Sequence, residues 1–251
     1  MKPAYLPEKP RRPQHWQELP LGENVRDAAE TVLKGFCRQF FGYHLLQLGD
    51  LSSEMNLSAC PIRHKIRQKT HQDAQAGLVS SAEELPYQEN SLDVVVLAHE
   101  LDFSRDPHQI LREVDRVIIP DGHVVIIGYN PLSLANLTRF IPLKRSYLLR
   151  QARFFTAARI KDWLSLLGFD IVCDERRVFS SLLFSKAYSN NSKVQTFLQR
   201  YLSLFGSVYV IVAKKRESTL TLIKPKWRAK PKLAQVVSMP AGQANTQSDT
   251  P

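Results

Sequence analysis

Residues 80–126 read SSAEELPYQENSLDVVVLAHELDFSRDPHQILREVDRVIIPDGHVVI. Within this stretch, LDVVVLA (92–98) is a continuous Val-rich apolar run, the pattern of a parallel strand buried on both faces. Asp106-Pro107 then opens a helix, with Asp as N-cap and Pro at the first helical position. Ile110, Leu111, Val114 and Val117/Ile118 recur at helical spacing and form its inward stripe. Pro120-Asp121-Gly122 marks a turn. HVVIIGY (123–129) is a second buried strand. A strand, a helix and a second buried strand in that order form one right-handed crossover unit of a parallel sheet.

The same alternation extends in both directions. Upstream, Val25, Ala28, Ala29, Val32, Leu33, Phe36 and Phe40 predict an amphipathic helix over 22–41, ended by Gly42. HLLQL (44–48), IRHKIRQ (62–68) and GLVS (77–80) predict short strands. Downstream, Thr156 caps a helix reaching Leu167, with Ile160, Trp163, Leu164 and Leu167 inward and Gly168 as terminator. FDIVCDERRVF (169–179) and SVYVIVAK (207–214) predict two more strands, with a helix at 192–204 between them. The fold class is therefore α/β, a doubly wound, mostly parallel sheet with helices on both faces. A ligand is expected at the carboxyl ends of the strands.

At 251 residues, 43% apolar and 23% charged, the chain is in the soluble globular class. The expected organisation is an N-terminal extension (1–21), one folded domain (22–215) and a basic tail (216–251). The charge supports this division. Residues 214–251 hold eight basic and two acidic side chains, whereas 27–213 are nearly balanced at 21 and 19. The tail, with Trp227, offers a surface for RNA or an anionic partner. The three cysteines form no CxxC pair, no histidine spacing suits a metal, and neither a GxSxG elbow nor a P-loop is present. The charged, Pro-rich N-terminus is unlike a signal peptide, and no window approaches the ~20 apolar residues of a membrane span. A reducing, cytoplasmic location is expected.

Beyond periodicity, residues 80–126 resemble the class I S-adenosylmethionine-dependent methyltransferases, above all the ubiquinone/menaquinone-biosynthesis type. The resemblance rests on Ala82-Glu83-Glu84-Leu85-Pro86-Tyr87, Ser91-Leu92-Asp93 with its Val run, His99 to Pro107, and Leu111-Arg112-Glu113 through Gly122. Gly128-Tyr129-Asn130-Pro131-Leu132-Ser133 resembles a proteobacterial methyltransferase-like group. The resemblance implies a seven-stranded sheet, S-adenosyl-L-methionine as cofactor, and a small-molecule acceptor. It also implies cofactor contacts at Gln47, Leu48, Gly49, Asp50, Ser81, Ala82, Glu83, Ala98 and His99.

The chain departs from the family pattern where the cofactor's polar groups would be held. The glycine-rich loop is reduced to Gln47-Leu48-Gly49-Asp50-Leu51-Ser52-Ser53, with one glycine. Gln47 stands where the resemblance implies an acid. The second strand ends in Arg67-Gln68-Lys69 instead of an acid, and Ser81 replaces a third acid. His99 and Asp102 follow the fourth strand at the mouth of the sheet, the place for a base and its orienting partner. Asn130, after the fifth strand, is a candidate for substrate binding. Two readings follow. One is a methyltransferase with an altered pocket. The other is a catalytically inactive methyltransferase-like binding protein that works through its tail and the run Lys144-Arg145, Arg150, Arg153, Arg159, Lys161.

Overall fold

The computed structural model describes residues 10–19, 21–70, 77–131, 151–177 and 207–216. A 3-10 turn, Trp16–Glu18, precedes helix α1 (Gly22–Phe36). There follow β1 (His44–Leu48), the one-turn helix α2 (Asp50–Ser53), β2 (His64–Lys69) and β3 (Leu78–Val79). Next come β4 (Leu92–Ala98), α3 (Pro107–Val117), β5 (Ile118–Tyr129), α4 (Ala157–Leu166), β6 (Phe169–Arg177) and β7 (Val208–Lys215). The helix expected at 192–204, residues 178–179 of the penultimate strand, and the tail from 217 onward lie outside the described residues.

The strands form one seven-stranded sheet in the order β3-β2-β1-β4-β5-β7-β6. Pairing is parallel from β3 through β5 and antiparallel where β7 joins β5 and β6. The order reverses between β1 and β4, so their carboxyl ends flank the switch-point crevice where α/β sheets bind ligands.

Each face of the sheet buries its own core. Leu45, Val94, Val96, Val125 and Ile127 pack with Val25, Ala29, Val32 and Leu33 of α1, and with Trp16. Leu46, Leu48, Val95, Leu97, Val124 and Ile126 pack on the opposite face with Ile110, Leu111 and Val114 of α3 and with Ile160 and Leu164 of α4. All seven residues of β4 are buried, as its unbroken apolar run requires. Asp106 caps α3, accepting from the backbone N–H of His108 and Gln109 at 3.0 and 3.1 Å.

Three local differences from the sequence reading stand out. The first helix stops at Phe36, and Cys37–Gln39 tighten into a 3-10 turn before Phe40 turns extended. The Pro-Asp-Gly signal at 120–122 does not separate two elements. Asp121 takes the left-handed conformation a turn needs (φ 65°), but the strand closes around it as a bulge, with Leu92 facing Ile118 and Val94 facing His123. The third difference is at β2, which spans 64–69 where 62–68 is expected.

Candidate active site

The β1–α2 junction is built by Gly49. Its φ of 93° lies in the region that favours glycine, and a Cβ there would clash with the carboxylate of Glu100. Beyond it the chain forms a helical turn in place of an open glycine cradle. Ser53 Oγ donates to Gly49 O at 2.9 Å, and Ser52 Oγ accepts the backbone N–H of Ala98 at 2.7 Å. The loop is therefore fastened to the end of β4. Gln47, 1% exposed, turns its amide toward the same loop and donates to the carbonyls of Ser52 (2.7 Å) and Met55 (3.0 Å). Asp50 Oδ1 accepts from Thr70 N, tying α2 to the end of β2.

After β4 the chain turns sharply. His99 is left-handed (φ 56°), and its N–H donates to Ile127 O at 2.8 Å. Its imidazole Nδ1 lies 2.9 Å from Asp102 Oδ2, and both residues are 1% exposed. The same oxygen accepts Tyr129 N–H at 3.0 Å. Burial pushes the Asp102 carboxyl up, opposed by the hydrogen bond from His99. An ionised Asp102 requires Nδ1 to carry the proton, which leaves the Nε2 lone pair available. Nε2 is buried with no hydrogen-bond partner among the described residues. Tyr129 and Trp16 flank the ring, at centroid distances of 4.2 and 5.5 Å.

Asp50, Ala98 and His99 are brought together around one small cavity, with Arg12, Pro13, Leu51, Glu100 and Phe103. The other expected site residues sit elsewhere. Leu48 and Ala82 are packed in the α3-side core. Ser81 Oγ accepts Glu83 N–H, and Glu83 O accepts from Gln109, holding this segment against α3. Glu113 and Arg116 clamp the Leu-Pro-Tyr motif: Glu113 accepts Leu85 N–H, and Arg116 donates to Leu85 O and Tyr87 O. Asn130 is buried at the end of β5, donating its N–H to Ser207 O at 2.9 Å.

The sequence reading missed Arg12, Trp16 and Glu100. Arg12 Nη1 lies 2.6 Å from Glu100 Oε1 and 3.3 Å from Thr70 Oγ1. Trp16 is fully buried, and its indole N–H donates to Leu51 O at 2.9 Å. The one available signal was a tryptophan, with Leu19 and Leu21 after it, in a stretch otherwise polar and Pro-rich. Of the basic run, 144–150 lies outside the described residues. Arg159 stacks over Phe155 and Trp163, and Lys161 pairs with Asp174 at 2.7 Å, so neither is an open cationic surface.

Residues 41–126 match the family model described as a methyltransferase domain. An uncharacterized Escherichia coli (strain K12) protein, YafS, is 37% identical over 238 residues, covering 94% of this chain and 95% of that one. The methyltransferase-domain match covers residues 41–126, and the kinship to YafS runs along nearly the whole chain. Solved structures agree on the fold. A Thermotoga maritima S-adenosylmethionine-dependent methyltransferase, described as a possible histamine N-methyltransferase, superposes with a TM-score of 0.54 at 15% identity, covering 80% of this chain and 99% of that one. An Archaeoglobus fulgidus S-adenosylmethionine-dependent methyltransferase gives 0.53 at 20% identity, covering 76% and 94%. Within the matched segment, Asp50 and Glu100 both line the cavity at the crevice, and two carboxylates are a donor set that fits the cationic amino-acid end of such a cofactor. Among the described residues no helix is long and apolar enough to cross a membrane.

Proposed function

We propose that the protein transfers a methyl group from S-adenosyl-L-methionine to a small-molecule acceptor, with His99 as the base that takes the acceptor's proton. The cofactor, when bound, supplies an already activated methyl group on a sulfonium. The work left to the chain is to place the acceptor, exclude water and remove a proton. Gly49, Asp50 and Glu100 would hold the cofactor beside the carboxyl ends of β1 and β4. The observation that carries the reading is the His99–Asp102 pair with its inward, unpartnered Nε2. Asp102 fixes the tautomer and orients the ring, and as an anion it offsets the charge His99 gains. Asn130, at the end of the neighbouring β5, is the residue proposed to bind the acceptor. A cytoplasmic location and a small, protonated acceptor are parts of the same proposal.

The test is transfer of a labelled methyl group from S-adenosylmethionine to pooled low-molecular-weight metabolites, followed by fractionation of the labelled product. His99→Gln should lower the rate by about 100-fold or more, the range a general base supplies, and leave cofactor affinity unchanged. Full activity in His99→Gln would remove the base assignment. Absence of both binding and transfer in the folded protein would remove the enzyme reading.

A further inference from the structure

The crevice is filled from within the chain. Residues 10–19 run across the carboxyl ends of β2, β1 and β4, ahead of the first helix. Arg12 sets its guanidinium between Thr70 after β2 and Glu100 after β4. Pro13 and Trp16 complete the cover, with Trp16 against His99. The cavity left between these groups is ≈ 10 Å³. That is room for one water, against about 300 Å³ or more for a ligand pocket. Among the described residues, the space beside His99 and Glu100 is too small for a cofactor or an acceptor.

We propose that residues 10–19 are an intrasteric strap, and that Glu100, covered by the strap's Arg12, is the anionic anchor for the cationic amino-acid end of the cofactor once the strap lifts. The inference rests on the methyltransferase reading above. Its core is an exchange of cations at one buried carboxylate. Glu100 and Arg12 side chains are each only 7% exposed, so Arg12 brings a close positive charge to a buried carboxylate. A cofactor ammonium arriving at Glu100 takes over that role as the strap leaves.

Arg12 is also an imperfect occupant. Its Nε and Nη2 are buried with no hydrogen-bond partner among the described residues. Guanidinium donors buried without acceptors are costly, so the closed state is held by less than its contacts suggest. The strap's central fastening is Trp16, fully buried in the α1-side core with its indole N–H on Leu51 O at 2.9 Å, which opening has to withdraw; the remaining ones are peripheral. Glu54 accepts Trp16 N–H at 3.2 Å and pairs with His15, and Arg11 N–H donates to Gln151 at 3.0 Å.

The exchange makes two substitutions that break the same ion pair act in opposite directions. Arg12→Ala frees the crevice and keeps the anchor. Glu100→Gln also frees the crevice but removes the anchor. In calorimetric titration of the full chain with S-adenosylhomocysteine, Arg12→Ala should tighten binding by about tenfold or more, and Glu100→Gln should weaken it by about tenfold or more. 5′-Methylthioadenosine, which lacks the amino-acid end, should bind no more weakly to Glu100→Gln than to the wild type.

A second measurement needs no variant. Saturating S-adenosylhomocysteine should accelerate amide hydrogen exchange at residues 10–19 of the wild-type protein and slow it at 49–53. Several results would overturn the proposal. If both substitutions tighten binding, Glu100 is only the strap's latch. If both weaken it, Arg12 belongs to the binding site. Equal binding by all three proteins, or slowed exchange at 10–19, means the strap does not occlude the cofactor, while the methyltransferase reading survives. If the folded variants show fast exchange at 10–19 and still bind nothing at millimolar ligand, both readings fail together.

Discussion

Restoring the family's acid at position 47 should damage this protein. Gln47 is buried at 1% exposure on the α1 side of β1, and its amide N–H groups donate to the carbonyls of Ser52 and Met55. Gln47→Glu turns those two contacts into a carboxylate facing two carbonyl oxygens. The carboxyl escapes by staying protonated. From an unfolded pKa of about 4.3, keeping it neutral at pH 7 costs about 3.7 kcal/mol. The neutral acid has one O–H where the amide had two N–H donors, so one carbonyl loses its partner, for about 1–3 kcal/mol more. The expected destabilisation at pH 7 is about 5 kcal/mol, a large part of an ordinary domain's stability.

The pH dependence is the sharper signature. An acid whose folded pKa is raised leaves stability intact below its unfolded pKa and removes it as pH rises toward the folded value. The deficit of Gln47→Glu relative to wild type should therefore grow by about 2.7 kcal/mol between pH 5 and pH 7. Urea denaturation of both proteins at pH 5, 6 and 7 measures it. A deficit under about 1 kcal/mol at pH 7, with no pH trend, would refute the reasoning. It would mean that the loop turns N–H groups toward residue 47 and that the family's acid would be at home there.

Two further predictions concern parts of the chain that look functional for different reasons. Asp93 belongs to the family motif, but its Oδ2 accepts the backbone N–H groups of Tyr43 and His44 at 2.8 Å each, at the end of β4 remote from His99. Asp93→Ala should cost about 3 kcal/mol in urea denaturation and Asp93→Asn about 1 kcal/mol, with S-adenosylhomocysteine affinity unchanged in the Asn variant; a loss of affinity there would return Asp93 to the binding site. His15, in the strap, has its pKa raised chiefly by its hydrogen bond to Glu54, with Glu18 adding and Lys69 opposing. Its contribution to docking is complete below about pH 6.5 and is lost as pH rises through the raised folded value. Because the imidazole is largely exposed, strap opening, read by amide exchange corrected for intrinsic rates, should rise only about two- to fivefold by pH 8. An equal rise in His15→Gln would assign the effect to another group.

The sheet and its crevice were legible because their signals are local. The Val run of β4, the Asp-Pro opening of α3 and the inward stripe of Ile110, Leu111 and Val114 each lie within a dozen residues. Once two parallel strands are placed, the carboxyl-end crevice follows, and His99 and Asp102 fall at its mouth. What stayed illegible depends on distance or direction. Arg12 meets Glu100 across 88 positions of sequence, and no periodicity in a Pro-rich polar stretch announces it. The residue type at 47 was visible, but not the side to which its amide turns. The turn at 120–122 was chemically right, since Asp121 does adopt positive φ. Only the pairing of β5 with β4 decides that such a turn becomes a bulge.

The missing acids of the family pattern need not mean a lost site. Charge at a crevice depends on where carboxylates end, not on which strand carries them. Gln47, Lys69 and Ser81 stand at the three eroded positions. Asp50 and Glu100 bring two carboxylates to the same strand ends from the next residue of the loop and from the turn after β4. Glu100 fits only because Gly49 has no Cβ, so the one glycine retained in the loop is the one that makes room for the relocated acid. Leu51 and Ser53 are tolerated because α2 coils that stretch into a helical turn, in which Ser53 bonds back to Gly49 O and Leu51 joins the α1-side core. On the reading proposed above, Gly49, Glu100 and Arg12 act as one unit: the glycine leaves room for the carboxylate, the carboxylate is the anchor, and the arginine covers it until the cofactor arrives.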